Sequence, residues 1–272
     1  MEAKTLIRAL SLLALLLISS DAVAQVSKLR LTGSTTMAPL MVEVAKRFQA
    51  QHPLVQLDVQ MGGSGQGVRD VRQGKADIGM VSRALNETEH DLYGVPIGRD
   101  GVAVIVHRDN PVGTLSNDQL LSIYSGKITN WRQVGGRDAS IRALAGTREG
   151  GSSELFNHYL GLSYDQIKAQ GRIAANSERI KAVSIDPLAI IYVSVGEAER
   201  KAQEGAFIKL LAIDGIAATS RNVRNGNYPL SRPLTLITRE TPTGITRTFI
   251  EFCVSSQITD LVVTFDFVPY LD

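Results

Sequence analysis

The chain has 272 residues, with 29 lysines and arginines against 27 aspartates and glutamates, so its formal net charge is only +2. Its cations are scattered and form no basic stripe, so we expect no nucleic-acid partner. The single cysteine, Cys253, excludes an intramolecular disulfide and is expected to be a buried apolar residue. This length is enough for one large domain or for two lobes with separate cores.

Residues 1–24 have the pattern of a secretory signal peptide. Lys4 and Arg8 precede an apolar run at 9–18, and small residues at 22–24 are typical of a cleavage site. The run is about half of the ~20 apolar residues that a membrane span needs. The predicted mature chain does not begin with a cysteine, so we expect a periplasmic protein without a lipid anchor.

The residues up to 81 predict three strands separated by two helices. Apolar spacing predicts strands at 28–31, 55–59 and 76–81, and helices at 41–48 and 68–73. This order is typical of an α/β lobe with a largely parallel sheet.

The rest of the chain predicts a second lobe and a return to the first. An apolar strand at 101–106 is expected to cross between the lobes, and a strand at 234–238 to cross back. Other predicted elements are helices at 117–123, 164–168, 177–183, 196–204, 245–252 and 258–263, and strands at 141–145, 189–193 and 207–213.

These crossings predict an α/β fold of two lobes, each a mostly parallel sheet flanked by helices. Lobe 1 would contain residues 25–105 and 231–272, and lobe 2 residues 106–230. Clefts between lobes are favoured sites for small ligands.

The segment 147–154, Thr-Arg-Glu-Gly-Gly-Ser-Ser-Glu, precedes a predicted amphipathic helix. Arg148 supplies a cation, Gly151 lets backbone approach a ligand, and Ser152 and Ser153 supply hydroxyls. The unpaired N–H groups and the dipole of a helix start also favour an anion. The alternative is an ordinary helix that Ser152 or Ser153 caps.

Two earlier turns offer similar chemistry. Ser34, Thr35 and Thr36 follow the first predicted strand, and Ser64 lies in the glycine-rich turn after the second. In a parallel sheet, ligands bind beyond the carboxyl ends of the strands. We therefore expect these hydroxyls to face the 147–154 segment across a cleft and to bind a small tetrahedral oxyanion.

Asp77 is the predicted source of selectivity, because we expect it to reach the same edge of the sheet. Its carboxylate would repel a fully ionised anion such as sulfate but accept a hydrogen bond from hydrogen phosphate. Arg148 would neutralise the pocket by touching the ligand or by holding Asp77 in a bidentate pair. The alternative is a surface carboxylate without a ligand role.

Patterns for nucleotide binding and catalysis are missing from the sequence. Neither G-x-G-x-x-G nor G-x-x-x-x-G-K-[ST] occurs, and Ser152 lacks the G-x-S-x-G context of a hydrolase nucleophile. The four histidines are isolated and show no metal spacing. We therefore expect a protein without enzyme activity, cofactor or metal; a secreted hydrolase remains an alternative.

Several segments resemble the periplasmic phosphate-binding proteins of phosphate ABC transporters. The similarity runs in order from about residue 29 to 270. The segments that carry it are 33–40, 62–65, 76–79, 124–131, 186–187, 191–194 and 228–234.

This resemblance implies a type II solute-binding fold that closes on inorganic phosphate. It implies a monomer that delivers phosphate to a membrane permease and performs no chemistry. It assigns hydrogen-bond donors to Ser34, Thr35, Thr36 and Ser64 and the acidic acceptor to Asp77.

The last motif of that family, R-x-x-G-S-G-T, is matched only in part. Arg148, Gly151 and Ser152 fit it, whereas Ser153 and Glu154 stand where the pattern has glycine and threonine. Ser153 can still donate. Glu154 would either compete with the anion for helix N–H groups or point away from the site.

Three alternatives to phosphate transport stay open on the sequence. The same fold could bind another oxyanion, namely sulfate, molybdate or tungstate. The chain could be the secreted hydrolase mentioned above, or an adhesion or signalling protein that has lost its ligand.

Overall fold

The structure, a computed structural model, describes residues 26–148 and 151–270. The predicted signal peptide, residues 1–24, lies outside these ranges. Within them, every helix is too short or too polar to span a bilayer.

The first part of the chain alternates strands and helices, as the sequence predicts. Its elements are β1 (Ser27–Gly33), α1 (Ala38–Gln51), β2 (Val55–Met61), α2 (Ser64–Arg72) and β3 (Ile78–Val81). Strand β1 pairs in parallel with both β2 and β3, so the three carboxyl ends lie at one edge. Gly33 ends β1 with φ +132°, and a Cβ there would lie 2.3 Å from the Met80 carbonyl oxygen. Only glycine fits where these strands approach so closely.

The remaining elements build the second part and return to the first. They are β4 (Tyr93–His107), β5 (Thr114–Leu115), α3 (Asn117–Tyr124), β6 (Arg142–Ala143), β7 (Ala145–Gly146), α4 (Gly151–Leu160), β8 (Arg172–Ile173), α5 (Asn176–Ser184), β9 (Ala189–Ser194), α6 (Val195–Gln203), β10 (Ile208–Leu210), β11 (Ala212–Ile213), α7 (Ser220–Arg224), β12 (Ser231–Thr238), α8 (Gly244–Cys253), α9 (Thr259–Thr264) and β13 (Val268–Pro269).

Strand β4 connects the two parts of the molecule. It has 15 residues, and its first half pairs antiparallel with β12 whereas its second half pairs antiparallel with β9. The sheet order is β2-β1-β3-β12-β4-β9-β6. The fold is therefore α/β as predicted, but its sheet is mixed, because the crossing strands β4 and β12 run antiparallel to their neighbours.

Two main apolar cores lie on either side of this crossing. Leu31, Phe48 and Ile97 belong to the first, and Val102 and Val106 belong to the second. The core changes between Ile97 and Val102, a few residues before the boundary at 105 that the sequence suggests. The division into lobes by residue number stays a prediction.

An ion pair fixes the loop that follows β3. Arg83 donates from Nη1 to Glu89 at 2.7 Å and from Nη2 at 2.8 Å, and the Glu89 side chain is only 7% exposed. Glu89 also accepts from the Asn86 N–H at 2.9 Å. These bonds, chiefly those from Arg83, lower the pKa of Glu89 from 4.5 to about 2.

We expect Glu89→Gln to lower the free energy of unfolding at pH 7 by about 1–3 kcal/mol, because a nearly buried charge-assisted pair is lost. A carboxyl group whose pKa is lowered by folding stabilises the folded protein at pH values above the pKa of that group in the unfolded chain. The difference between wild type and variant should therefore shrink as pH falls from about 4.5 to about 2. Denaturant unfolding at several pH values measures it. Glu87→Gln, an exposed neighbour in the same turn, is the control; an equal loss in both variants would contradict the assignment.

Candidate functional site

Three serines meet at the carboxyl ends of the parallel strands β1, β2 and β3. Ser34 Oγ donates to Ser82 Oγ at 2.8 Å, and the Ser82 N–H donates to Ser64 Oγ at 3.1 Å. Ser34 Oγ also accepts from the Met37 N–H at 3.2 Å, which fixes the turn into α1. The structure thus brings Ser34 and Ser64 together, and it adds Ser82, which the sequence analysis missed. Its position directly after the third predicted strand was the available signal.

Two further serines lie in the first turn of α4, which begins at Gly151. Ser152 Oγ accepts from Arg179 Nη1 at 2.8 Å, and Ser153 Oγ accepts from Tyr192 Oη at 3.1 Å. Each hydroxyl oxygen thus accepts one hydrogen bond through one of its two lone pairs and retains its own hydrogen.

Gly146 permits this close packing beneath α4. A Cβ at Gly146 would lie 2.2 Å from Ser153 Oγ and 2.3 Å from Arg179 Nη2. Any side chain at Gly146 would therefore displace both groups.

Hydroxyls from both parts of the chain line two cavities, although Ser34 and Ser153 line neither. Thr35, Thr36 and Ser152 line one cavity of about 340 Å³. Ser64 and Ser82 line the other, of about 600 Å³, together with α4 residues that include Glu154. Donors from both parts of the chain therefore border one cleft, as the sequence analysis expects.

Arg232 of β12 joins the sides of this cleft. It forms a buried ion pair with Asp100, its partner in the β4–β12 ladder, at 3.0 Å. It also donates to Thr36 Oγ1 at 3.2 Å and lies 3.4 Å from Glu154 Oε2. Thr36 Oγ1 in turn donates to Glu154 at 3.3 Å. The Glu154 carboxylate therefore neither points away from the site nor accepts from the described N–H groups at the start of α4. It reaches across the cleft to Thr36, a predicted ligand donor.

Asp77 does not reach the cleft, which corrects the sequence-based expectation. It precedes β3 and pairs with Arg30 of β1, about 10 Å before the carboxyl end of that strand. Its exposed carboxylate accepts from the Arg30 N–H at 2.8 Å and lines a separate cavity of about 580 Å³. The prediction assigned the wrong end of the strand to the ligand. Asp77 lies near the start of the predicted strand at 76–81, whereas Ser82 follows its carboxyl end.

Arg148 is also placed differently from the prediction. Its side chain is 60% exposed, pairs with Asp165 at 2.9 Å and lies over the ring of Tyr164 at 4.2 Å. It does not contact Asp77, and it is absent from the lining of both cleft cavities.

Arg179 of α5 is the cation that lines the smaller cavity, and the sequence analysis did not select it. It is 1% exposed and donates to Ser152, to the Ile173 carbonyl at 2.9 Å and to the Tyr192 carbonyl at 3.2 Å. Burial lowers the pKa of its guanidinium. In sequence it resembles any other charged residue of a short polar helix.

No metal or nucleophile arrangement is evident in the part of the chain that the structure describes. That part contains no group of three His, Cys, Asp or Glu residues that could hold a metal ion. His158 lines the larger cavity, yet within the described ranges no hydrogen bond joins it to a serine.

Known proteins give this arrangement a context. A sequence profile described as "PBP superfamily domain" matches residues 19–257. The phosphate-binding protein PstS of Bacillus subtilis is 29% identical over 242 residues, which cover 87% of this chain and 78% of that protein.

Solved structures agree with the sequence comparison. An ABC-type phosphate transport receptor from Vibrio cholerae is 29% identical, with a TM-score of 0.79, covering 89% of this chain and 99% of that one. A putative phosphate ABC transporter substrate-binding protein from Clostridium perfringens, with bound phosphate, is also 29% identical, with a TM-score of 0.61 and the same coverage. The predicted resemblance is confirmed. Because the matching profile spans most of its length, the chain belongs to the PBP superfamily.

Proposed function

We propose that the protein is an extracytoplasmic receptor that binds inorganic phosphate in the cleft and delivers it to the permease of an ABC transporter. The observation that carries the proposal is that Thr35, Thr36 and Ser152, from opposite sides of the cleft, line one cavity. Relatives named for phosphate binding or transport support the choice of anion.

On this proposal, phosphate binding requires hydrogen-bond donors and no catalytic residues. Ser152 keeps its hydrogen free because its oxygen accepts from Arg179, and the start of α4 adds backbone N–H groups from Gly151 onward. Ser64 adds a hydroxyl from the larger cavity. Ser34 and Ser153 are both 1% exposed and line neither cavity, so Ser34 would support the site from behind and Ser153 would contribute its backbone N–H. Donors already held in position lose little entropy on binding, which favours a dissociation constant of about 1 μM or below.

The proposed cellular setting follows from the same reading. Residues 1–24 would direct export to the periplasm, where the protein would act as a monomer without enzyme activity. The crossing strands β4 and β12 would allow the lobes to close on phosphate, since they are the connections between the two main cores.

Titration calorimetry with phosphate tests the proposal. Ser152→Ala should weaken binding about tenfold or more, because a hydrogen bond to a charged group is lost. Asp77→Asn should leave affinity unchanged, because Asp77 lies at the amino-terminal end of β3, in a cavity separate from the cleft. Absence of binding to the wild type, or tighter binding of sulfate, molybdate or tungstate, would refute phosphate as the ligand. Turnover of a chromogenic phosphate ester would refute the non-enzymatic role.

Glu154→Gln should strengthen phosphate binding by about three- to tenfold. The Glu154 carboxylate accepts the hydrogen bond that Thr36 would otherwise donate to phosphate. It also adds a second negative charge beside Arg232, which Asp100 already neutralises. The effect should be modest, because the Glu154 side chain is 59% exposed.

A matched control for this variant is Glu251→Gln. Glu251 is also 59% exposed and also pairs with an arginine, Arg247, but lies on α8 outside both cleft cavities. Its loss should leave the dissociation constant unchanged. Weaker binding by Glu154→Gln would instead mean that Glu154 accepts a hydrogen bond from the anion.

A further inference from the structure

We propose that Arg179, rather than Arg148, supplies the positive charge that neutralises the bound anion. The inference rests on the proposed function and identifies the cation of the same site. It concerns a residue that neither the motifs of the sequence nor the similarity to known proteins selects.

The first argument is that Arg179 has only neutral hydrogen-bond partners in the described part of the chain. Its Nε donates to the Ile173 carbonyl at 2.9 Å, and its Nη1 donates to Ser152 Oγ at 2.8 Å and to the Tyr192 carbonyl at 3.2 Å. Nη1 also approaches Asn176 Oδ1 at 3.4 Å. No described carboxylate lies within ion-pair distance of it. These contacts hold the guanidinium in place without neutralising it.

The second argument is energetic. Arg179 is 1% exposed, and a buried charge is unfavourable unless an opposite charge compensates it. Among the described acidic residues, Glu197 influences its pKa, but from beyond ion-pair distance. Burial and the nearby Asp266 raise the pKa of Glu197, which weakens it as a counter-charge. The free protein thus retains a buried cation that an anionic ligand would compensate.

The third argument is position. Arg179 lines the same cavity as Thr35, Thr36 and Ser152, so a small anion there would meet hydroxyls from both sides of the cleft and one guanidinium. Two carboxylates, Asp100 and Asp266, line this cavity too, but each already pairs with another arginine, Arg232 and Arg200 respectively. Arg179 also fixes the Ser152 oxygen, which leaves the serine hydrogen for the ligand. A planar guanidinium is well suited to the tetrahedral oxygens of an oxyanion.

Arg148 provides the contrast within the same part of the molecule. Its side chain is 60% exposed and already pairs with Asp165. Its charge is therefore both screened by solvent and compensated, so its removal should change anion binding little.

The test compares Arg179→Met, Arg179→Lys and Arg148→Met with the wild type by phosphate calorimetry. We expect Arg179→Met to weaken phosphate binding at least 100-fold. Arg179→Lys keeps the charge but loses the fork, and should weaken binding about tenfold. Arg148→Met should stay within about twofold of the wild type. Circular dichroism and thermal unfolding without phosphate establish that each variant folds.

The outcomes separate this inference from the proposed function. If the wild type does not bind phosphate, the proposed function fails. If the wild type binds and folded Arg179→Met binds within threefold of it, or Arg148→Met loses as much as Arg179→Met, the assignment to Arg179 is wrong.

A second measurement on the wild type covers the case in which Arg179→Met does not fold. In protein with ¹⁵N-labelled arginine, the Arg179 Nε–Hε resonance is assigned by its disappearance in Arg179→Lys. It should shift on addition of phosphate, whereas the Arg148 resonance should not. An unmoved Arg179 resonance at saturating phosphate would overturn the inference.

Discussion

The buried ion pair between Arg232 and Asp100 is the interaction on which the geometry of the cleft depends. It joins β4 and β12, the two strands that cross between the main cores, at the level where the core changes. Because Arg232 also contacts Thr36 and Glu154, the turn of one lobe and the helix of the other are positioned from one point. Loss of Arg232 would leave the buried Asp100 carboxylate without this ion pair, which is far more unfavourable than loss of a surface pair.

Much of the fold was predictable, because local patterns carry it. Alternating apolar residues and glycine-rich turns define β1, β2 and the helices after them, so Ser34 and Ser64 were correctly expected at the carboxyl ends of their strands. The first half of β4 was not predicted. Residues 93–100 include glycines, a proline and charged residues, and they are extended because β12 pairs with them. Tertiary pairing of this kind leaves little trace in a local sequence window.

The candidate site was predictable only where its residues follow a strand or begin a helix. Asp77 was misplaced because it lies at the start of its strand, whereas ligands bind beyond the carboxyl ends of parallel strands, where Ser82 lies. The same limit applies to the cations, because only burial distinguishes Arg148 from Arg179 as a ligand candidate and neither spacing nor composition does. Arg148 is exposed and paired with Asp165, whereas Arg179 is enclosed among neutral groups. Glu154 could be recognised as unusual in sequence, but its reach across the cleft to Thr36 depends on how the lobes are arranged.

The charges of the cleft also indicate where within it an anion is best held. On the side of the larger cavity, Arg232 is shared by two carboxylates, Asp100 and Glu154, and Arg83 pairs with Glu89. Arg99 also lines that cavity and donates to the Ser231 hydroxyl, but it is only partly buried. On the side of the smaller cavity, Arg179 has neutral partners, and Ser152 and Thr35 offer hydroxyls. Charge interactions strengthen as water is excluded, so a buried arginine attracts an anion more strongly than an exposed one at the same distance. Because Arg179 is 1% exposed and Arg99 is only partly buried, the anion should lie toward Arg179 and α5, with Glu154 at the opposite wall, where its like charge limits the affinity of the cleft.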